Sequence, residues 1–179
     1  DYFHHEVGKK LAKTHFDVGY SNESGVRELV ENAGSLMGEI ELDAERQVMN
    51  SFLSELIKSA PRATYGEMMV RSALERGAID KLLISEGLRK NTVTLQCGSC
   101  KHEWTATIGR MEALPACPSC EASGDNAKEL NSVSLIDEFG KMAERSNTEI
   151  VYISIDTEEG SQLLHGFGGL AALCRYPMM

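Results

Sequence analysis

The chain has 179 residues, 42% of them hydrophobic and 25% charged, which suits one ordinary core with a small appended module and excludes a disordered or fibrous protein. Eighteen lysines and arginines against 27 acidic residues leave a net charge of −9, which argues against broad attraction to nucleic acid phosphates and leaves room only for a local basic patch. No run of eighteen apolar residues occurs, and DYFHHEVGKK lacks the succession of a secretory signal, so the chain is expected to be soluble and cytoplasmic, with no membrane partner.

The chain opens on Asp1 rather than methionine, as a piece of a longer protein would. His4, His5 and Glu6 are adjacent and do not converge, so a solvated terminus is expected there. After the turn-prone residues 19–22, Val26, Leu29, Val30, Ala33 and Leu36 recur at helical spacing, with Ser24 placed to cap. A second helix is predicted over ERQVMNSFLSELIKSA, with Val48, Phe52, Leu53, Leu56 and Ile57 on one face and Pro61 ending it. TYGEMMVRSALERGA predicts a third helix, with Thr64 and Glu67 at capping-box spacing and Gly77 as its stop. AIDKLLIS then reads as a strand.

Beyond a segment holding four of the five cysteines, SVSLIDEFGKMAERS predicts a helix through Leu135, Ile136, Phe139 and Met142, and EIVYISID a strand. EEGSQLLH is a short helix whose Asp156, Glu158 and Glu159 suit the positive end of its dipole, and GFGGLAALCRYP is an apolar stretch closed by Pro177. This is the grammar of a layered α/β domain interrupted by an insertion. The expected division is 1–40 as the end of a preceding domain and its exit helix, 41–93 and 129–179 as the α/β domain, and 94–128 as the insertion.

Within the insertion, Cys97-Gly98-Ser99-Cys100 and Cys117-Pro118-Ser119-Cys120 stand sixteen residues apart, the spacing of a zinc ribbon. Each pair of intervening residues lets a tight turn bring two thiolates to one ion. Two such turns complete a tetrahedral shell, so one structural Zn²⁺ per chain is expected on Cys97, Cys100, Cys117 and Cys120. HEWTATI, with Trp104, Ala106 and Ile108 alternating, predicts a strand of the ribbon. So short a module cannot fold on its own core, and metal would supply much of its folding free energy. A thioredoxin-like site would show one CxxC opening a helix, and four thiolates leave no open position for a catalytic metal. Residues 94–128 carry a net charge of −1 before a tetrathiolate centre adds more, which disfavours phosphate. His102 is expected to face solvent, and Cys174 to be a small buried hydrophobe.

HGFGGL lacks both the GxGxxG spacing and the Lys-Ser/Thr of a phosphate loop, so it reads as a helix stop and turn. Phe167 there is either a core plug or an exposed anchor. No nucleophile, base and orienting group ask to be assembled, and no enzyme is expected.

Three stretches, YGEMMVRSALERGAIDKLLISEGLR, the CxxC insertion and EEGSQLLHGFGGLAALCRYP, resemble the C-terminal domain of archaeal and eukaryotic class I peptide chain release factors, and FDVGYSNESGVRELVENA resembles the end of that family's middle domain. The cysteine pairs resemble the archaeal branch. The resemblance implies an α/β/α sandwich similar to the ribosomal L30e class. It also implies docking of a translational GTPase and later of an ABC-type ribosome recycling ATPase, on the ribosome, as part of a full-length factor. The family's Gly-Gly-Gln motif is missing, Gly168-Gly169 being followed by Leu170, so neither peptidyl-tRNA hydrolysis nor stop-codon reading carries over. The resemblance maps the GTPase-binding region to Gly166, Phe167, Gly168, Gly169, Leu173, Arg175 and Tyr176. A Pelota-type rescue factor shares the core and the GGLAALCRYP ending; the cysteine insertion and GSQ…GFGG favour the release factor. A ribbon-bearing RNA-binding protein is the other alternative.

Overall fold

The computed structural model describes residues 17, 19 and 22–177, so the expectation for His4, His5 and Glu6 lies outside the described residues. Packing divides the chain into units 1–44 and 45–179. The boundary falls inside one helix, α1 (Glu23–Leu56). The sequence predicts two helices here, and the structure corrects this to one of 34 residues. The corrected cap is Asn22 rather than Ser24: the Asn22 Oδ1 accepts from the N–H groups of Ser24 and Gly25 at 3.1 and 3.2 Å. Val26 and Val30 are exposed, while the side chain of Leu36 lies outside the described residues.

Unit 45–179 is built on a mixed four-stranded sheet in the order β1 (Ala63–Tyr65), β7 (Leu170–Cys174), β2 (Ile79–Ser85), β6 (Glu149–Ile153). β2 and β6 are parallel, and β7 runs antiparallel to β1 and β2. Side chains alternate across the sheet with a period of two. Leu82 and Ile84 of β2 and Leu170 and Ala172 of β7 pack on Val70, Ala73 and Leu74 of α2 (Glu67–Glu75) and on Leu135, Phe139 and Ala143 of α3 (Leu135–Arg145). Leu83, Ile153 and Ala171 face the other way, onto Met49 and Phe52 of α1 and Leu163 of α4 (Glu158–Gly166). Apolar cover on both faces is why LLIS and LAALC read as continuous apolar runs; each fully buried Leu or Phe contributes about 1.5–3 kcal/mol.

Two expectations at α2 diverge. Thr64 lies in β1 and is buried, and the cap position is Gly66 (φ 79), with no side-chain cap. Glu67 instead accepts from Thr107 Oγ1 at 2.6 Å and from Arg71 Nη2 at 3.2 Å. Gly77 (φ 64) ends α2 as expected, its N–H reaching Leu74 O at 2.9 Å and that of Ala78 reaching Ala73 O at 3.0 Å.

The insertion forms a second sheet, β4 (Glu103–Gly109), β3 (Lys90–Cys97), β5 (Ala127–Ser134), all antiparallel. Its strands begin before and end after residues 94–128, because β5 passes straight into α3 at Ser134. One polar cluster fastens it to the helices. Arg71 pairs with Glu138 of α3 and lies 5.0 Å over the Phe139 ring, while Thr92 of β3 donates to Glu138 and Thr107 of β4 to Glu67. Among the described residues no helix is long and apolar enough to cross a membrane.

Candidate metal centre and docking turn

Cys97 ends β3, Cys100 follows in the turn to β4, and Cys117 and Cys120 lie on the loop between β4 and β5. The four sulfurs lie within 4.8 Å of one another. Cys97 Sγ is 3.6 Å from Cys120 Sγ and Cys100 Sγ 3.7 Å from Cys117 Sγ, and all four cysteines are free of disulfides. A tetrahedral ion with metal–sulfur bonds of roughly 2.3 Å has edges of about 3.8 Å, which the separations of 3.6 and 3.7 Å match.

The two CxxC turns are built alike. The N–H of Cys97 donates to His102 O (2.9 Å) and that of Lys101 to Cys97 O (3.0 Å); the N–H of Cys117 donates to Ala122 O (2.9 Å) and that of Glu121 to Cys117 O (2.9 Å). The residue after each second cysteine, Lys101 (φ 62) and Glu121 (φ 57), is left-handed. Gly98 serves a different need, since its N–H meets Asn126 O at 2.8 Å and a Cβ there would lie 2.6 Å from that oxygen. Backbone N–H groups aim at the sulfurs. Those of Cys100 and Ser99 hold the Cys97 thiol down to about 6 against the cost of its burial. At Cys120 the Ala122 N–H acts in the same sense, but the neighbouring Cys100 and Cys97 sulfurs push the thiol up to about 12. One thiolate forms readily and the last does not, because charges packed this closely need a cation among them. His102 is exposed, its ring facing Trp104 at 6.4 Å and its carbonyl serving the first turn. Cys174 is buried, which pushes its thiol up.

The seven residues mapped to partner binding fall at two places. α4 is capped by Thr157 Oγ1, which accepts from Gly160 N at 3.0 Å, and ends at Gly166. Phe167 follows half-buried, meeting Phe52 edge-on at 5.2 Å and Tyr65 at 5.1 Å. Gly168 (φ 73) is exposed; Gly169 (φ 82) is buried, and its N–H returns to Leu163 O at 2.9 Å. Leu173 packs half-buried against the core, whereas Arg175 and Tyr176 lie past the far end of β7, roughly 20 Å on at about 3.3 Å per residue. Arg175 is a clasp: Nη1 donates to Gly77 O (3.3 Å) and Nη2 to Asn147 O (2.9 Å) and Ser146 O (3.4 Å).

The sequence counts Met68 and Met69 with Val70, Ala73 and Leu74 among the apolar positions of α2, and the structure corrects this: only the last three are buried. Tyr65, which meets Phe167, is 46% exposed, and Met68 and Met69, three and four residues on, are 84% and 58% exposed. The available signal was two methionines off the stripe of Val70, Ala73 and Leu74 that α2 buries.

A family profile described as eRF1 domain 3 matches residues 42–178. Peptide chain release factor subunit 1 of Methanosarcina mazei is 39% identical over 178 residues, covering 98% of this chain and 43% of the relative. That of Thermococcus kodakarensis is 42% identical over 182 residues, with the same coverage of 98% and 43%. The chain therefore spans 43% of the length of these relatives. Among solved structures, the C-terminal domain of a peptide chain release factor from Methanosarcina mazei matches with a TM-score of 0.70 and 38% identity, over 88% of this chain and 98% of that one. A model of ribosome-bound archaeal Pelota and ABCE1 matches at 0.57 with 18% identity, over 93% of this chain and 36% of that one, a likeness of fold alone.

Proposed function

The chain belongs to the eRF1 domain 3 family, and from that premise we propose that it is the non-catalytic, partner-docking part of an archaeal-type class I peptide chain release factor, acting in the cytoplasm. The observation that carries this reading is the surface formed by Tyr65, Met68 and Met69 beside the Phe167 turn, an apolar face of the kind that marks an interaction site. The first partner in this reading is a translational GTPase of the elongation-factor type, docking on Gly166, Phe167 and Gly168 with Gly169 and Leu173 packed beneath them, and on Arg175 and Tyr176 as a second contact at the far end of β7. The second is an ABC-type recycling ATPase, supported by the shared fold of Pelota in its ribosome-bound model with ABCE1. Ribosome contact comes through the full-length factor, and stop-codon reading and peptide release belong to other domains.

In the same reading the helix-covered sheet is a three-layer α/β/α sandwich of the L30e kind, spanning 41–93 and 129–179, and 1–40 is the end of the middle domain with its connecting helix. Residues 94–128 are a zinc ribbon holding one Zn²⁺. All four ligands come from the protein, so the ion would close the fold and activate no water. Calorimetric titration of this chain with an archaeal translational GTPase should show 1:1 binding. Met68→Glu, at a side chain 84% exposed, should weaken it by at least tenfold with the fold unchanged. A folded chain that binds no such GTPase, or a Met68→Glu variant that binds as tightly as the parent, would sink the reading.

A further inference from the structure

We propose that the end of the second sheet farthest from the cysteines is a binding groove for a single strand of RNA. The register Lys90↔Gly109 sets the start of β3 beside the end of β4, so Arg89 and Arg110, flanking that pair, come together although 21 positions apart. They stand roughly 23 Å from Cys97, at about 3.3 Å per residue along β3. Arg89 and Arg110 line one side of a cavity of about 460 Å³ whose floor is half-buried Ile108 over buried Val93 and whose neutral polar wall is Asn91 and Ser132. That volume falls in the range of small-ligand sites, about 300–1,000 Å³, and suits a nucleotide rather than a folded partner.

The charges in this groove are not spent on one another. Arg89 gives a single N–H to Glu86 O at 2.8 Å, and Arg110 has no carboxylate partner among the described residues. The one acid in the lining is Glu129, on β5 across from Leu95. In a chain of net charge −9, these two guanidinium groups, in no ion pair among the described residues, face Glu129 in the lining and Glu112, whose Oε2 accepts from the Gly109 N–H at 2.6 Å. The groove is therefore locally neutral in an acidic chain. A charge count over 94–128 misses it, because Arg89 and Lys90 fall just outside that window and only the strand register joins them to Arg110.

The neutral groups favour RNA over an acidic peptide. Asn91 Nδ2 meets Ser132 Oγ at 3.3 Å, which leaves the amide oxygen and the hydroxyl able to serve a ribose 2′-OH or a base edge. Half-buried Ile108 suits the face of one base, and guanidinium groups both pair with phosphate and stack on bases. The groove does not depend on which protein meets the Phe167 turn, so it stands or falls separately from the docking reading.

The test is fluorescence anisotropy of a labelled uridine 12-mer with the full chain at 50 and 200 mM salt. Two neutralised phosphates give a log–log slope of about −1.4 for a single strand, so affinity should fall roughly sevenfold between those salts. Arg110→Glu should weaken binding at least tenfold, Lys128→Glu at the cysteine end should leave it unchanged, and Glu129→Gln should tighten it severalfold, a gain that misfolding cannot produce. No binding at 50 mM salt, binding indifferent to Arg110→Glu, or tighter binding of a labelled glutamate decamer would each overturn the proposal.

Discussion

Phe167 reads from the sequence as either a core plug or an exposed anchor, and the structure gives it both edges: one ring contact to buried Phe52, another to half-exposed Tyr65. The two glycines after it are equally left-handed but not equally placed. A Cβ on Gly168 meets nothing within 4 Å, whereas one on Gly169 lies 3.0 Å from Leu88 Cδ1, beneath a carbonyl that accepts from Ser85 N at 3.0 Å. The left-handed backbone alone costs a residue with a Cβ roughly 1–2 kcal/mol. Gly168→Ala should therefore lose stability within that range, Gly168→Asn less, and Gly169→Ala more than either, by urea unfolding. Equal losses for the two alanine variants would show that Leu88 yields freely. That this turn is fixed by fold was legible in its glycines. That Arg175 clasps the ends of α2 and α3 was not, because its three carbonyl partners come from residues 77, 146 and 147.

The elements were legible where one face is buried along their whole length. α3 shows its stripe of Leu135, Phe139 and Ala143, and β2 and β7 show their apolar runs, because the core selects those positions directly. The predicted break within α1 failed because the local apolar pattern drifts there while no proline or cap interrupts the backbone. The capping box at Thr64 failed because β1 needs that residue, pairing it with Ala172, and Glu67 is claimed by Arg71 and Thr107. The resulting cluster joins two elements that no local pattern connects, and it has a pH signature. Arg71, with Thr92 assisting, holds the Glu138 carboxyl below its ordinary value of 4.5. A carboxyl lowered by folding contributes stability that is whole above its unfolded pKa and is lost as pH falls through the folded one. Glu138→Gln should thus cost about 1 kcal/mol at pH 7, the usual worth of such a hydrogen bond. The difference from the parent should start to shrink below about pH 4.5 and close once the parent carboxyl is protonated. A gap that stays constant into that acid range, followed by denaturant titration, would remove the charge from the explanation.

For the molecule as a whole, the cysteine spacing announced a metal centre, and the sulfur positions fit one, but their place in the architecture is what limits their influence. The α/β sheet of unit 45–179 draws its apolar contacts from α1, α2, α3 and α4, none of which carries a cysteine ligand. The second sheet buries Val93, Leu95, Cys97 and Cys117, few apolar side chains for three strands and one long loop, so in the proposed reading its stability would rest on a bound ion together with the Glu67–Arg71–Glu138 cluster. Structural zinc contributes roughly 10–16 kcal/mol in peptides that fold around it, far more than a cluster of hydrogen bonds can replace. Stripping metal from the whole chain with a thiol-directed mercurial and a chelator should therefore collapse amide exchange protection in β3, β4 and the near end of β5. Protection in β2, β6 and β7 should survive, because their ladders and both apolar layers remain intact. The amide of Thr92, beside its bond to Glu138, should be the last of β3 to exchange. If protection in β2 and β7 falls together with that of β3, the two sheets are one cooperative unit and the cysteines hold far more than the segment that contains them.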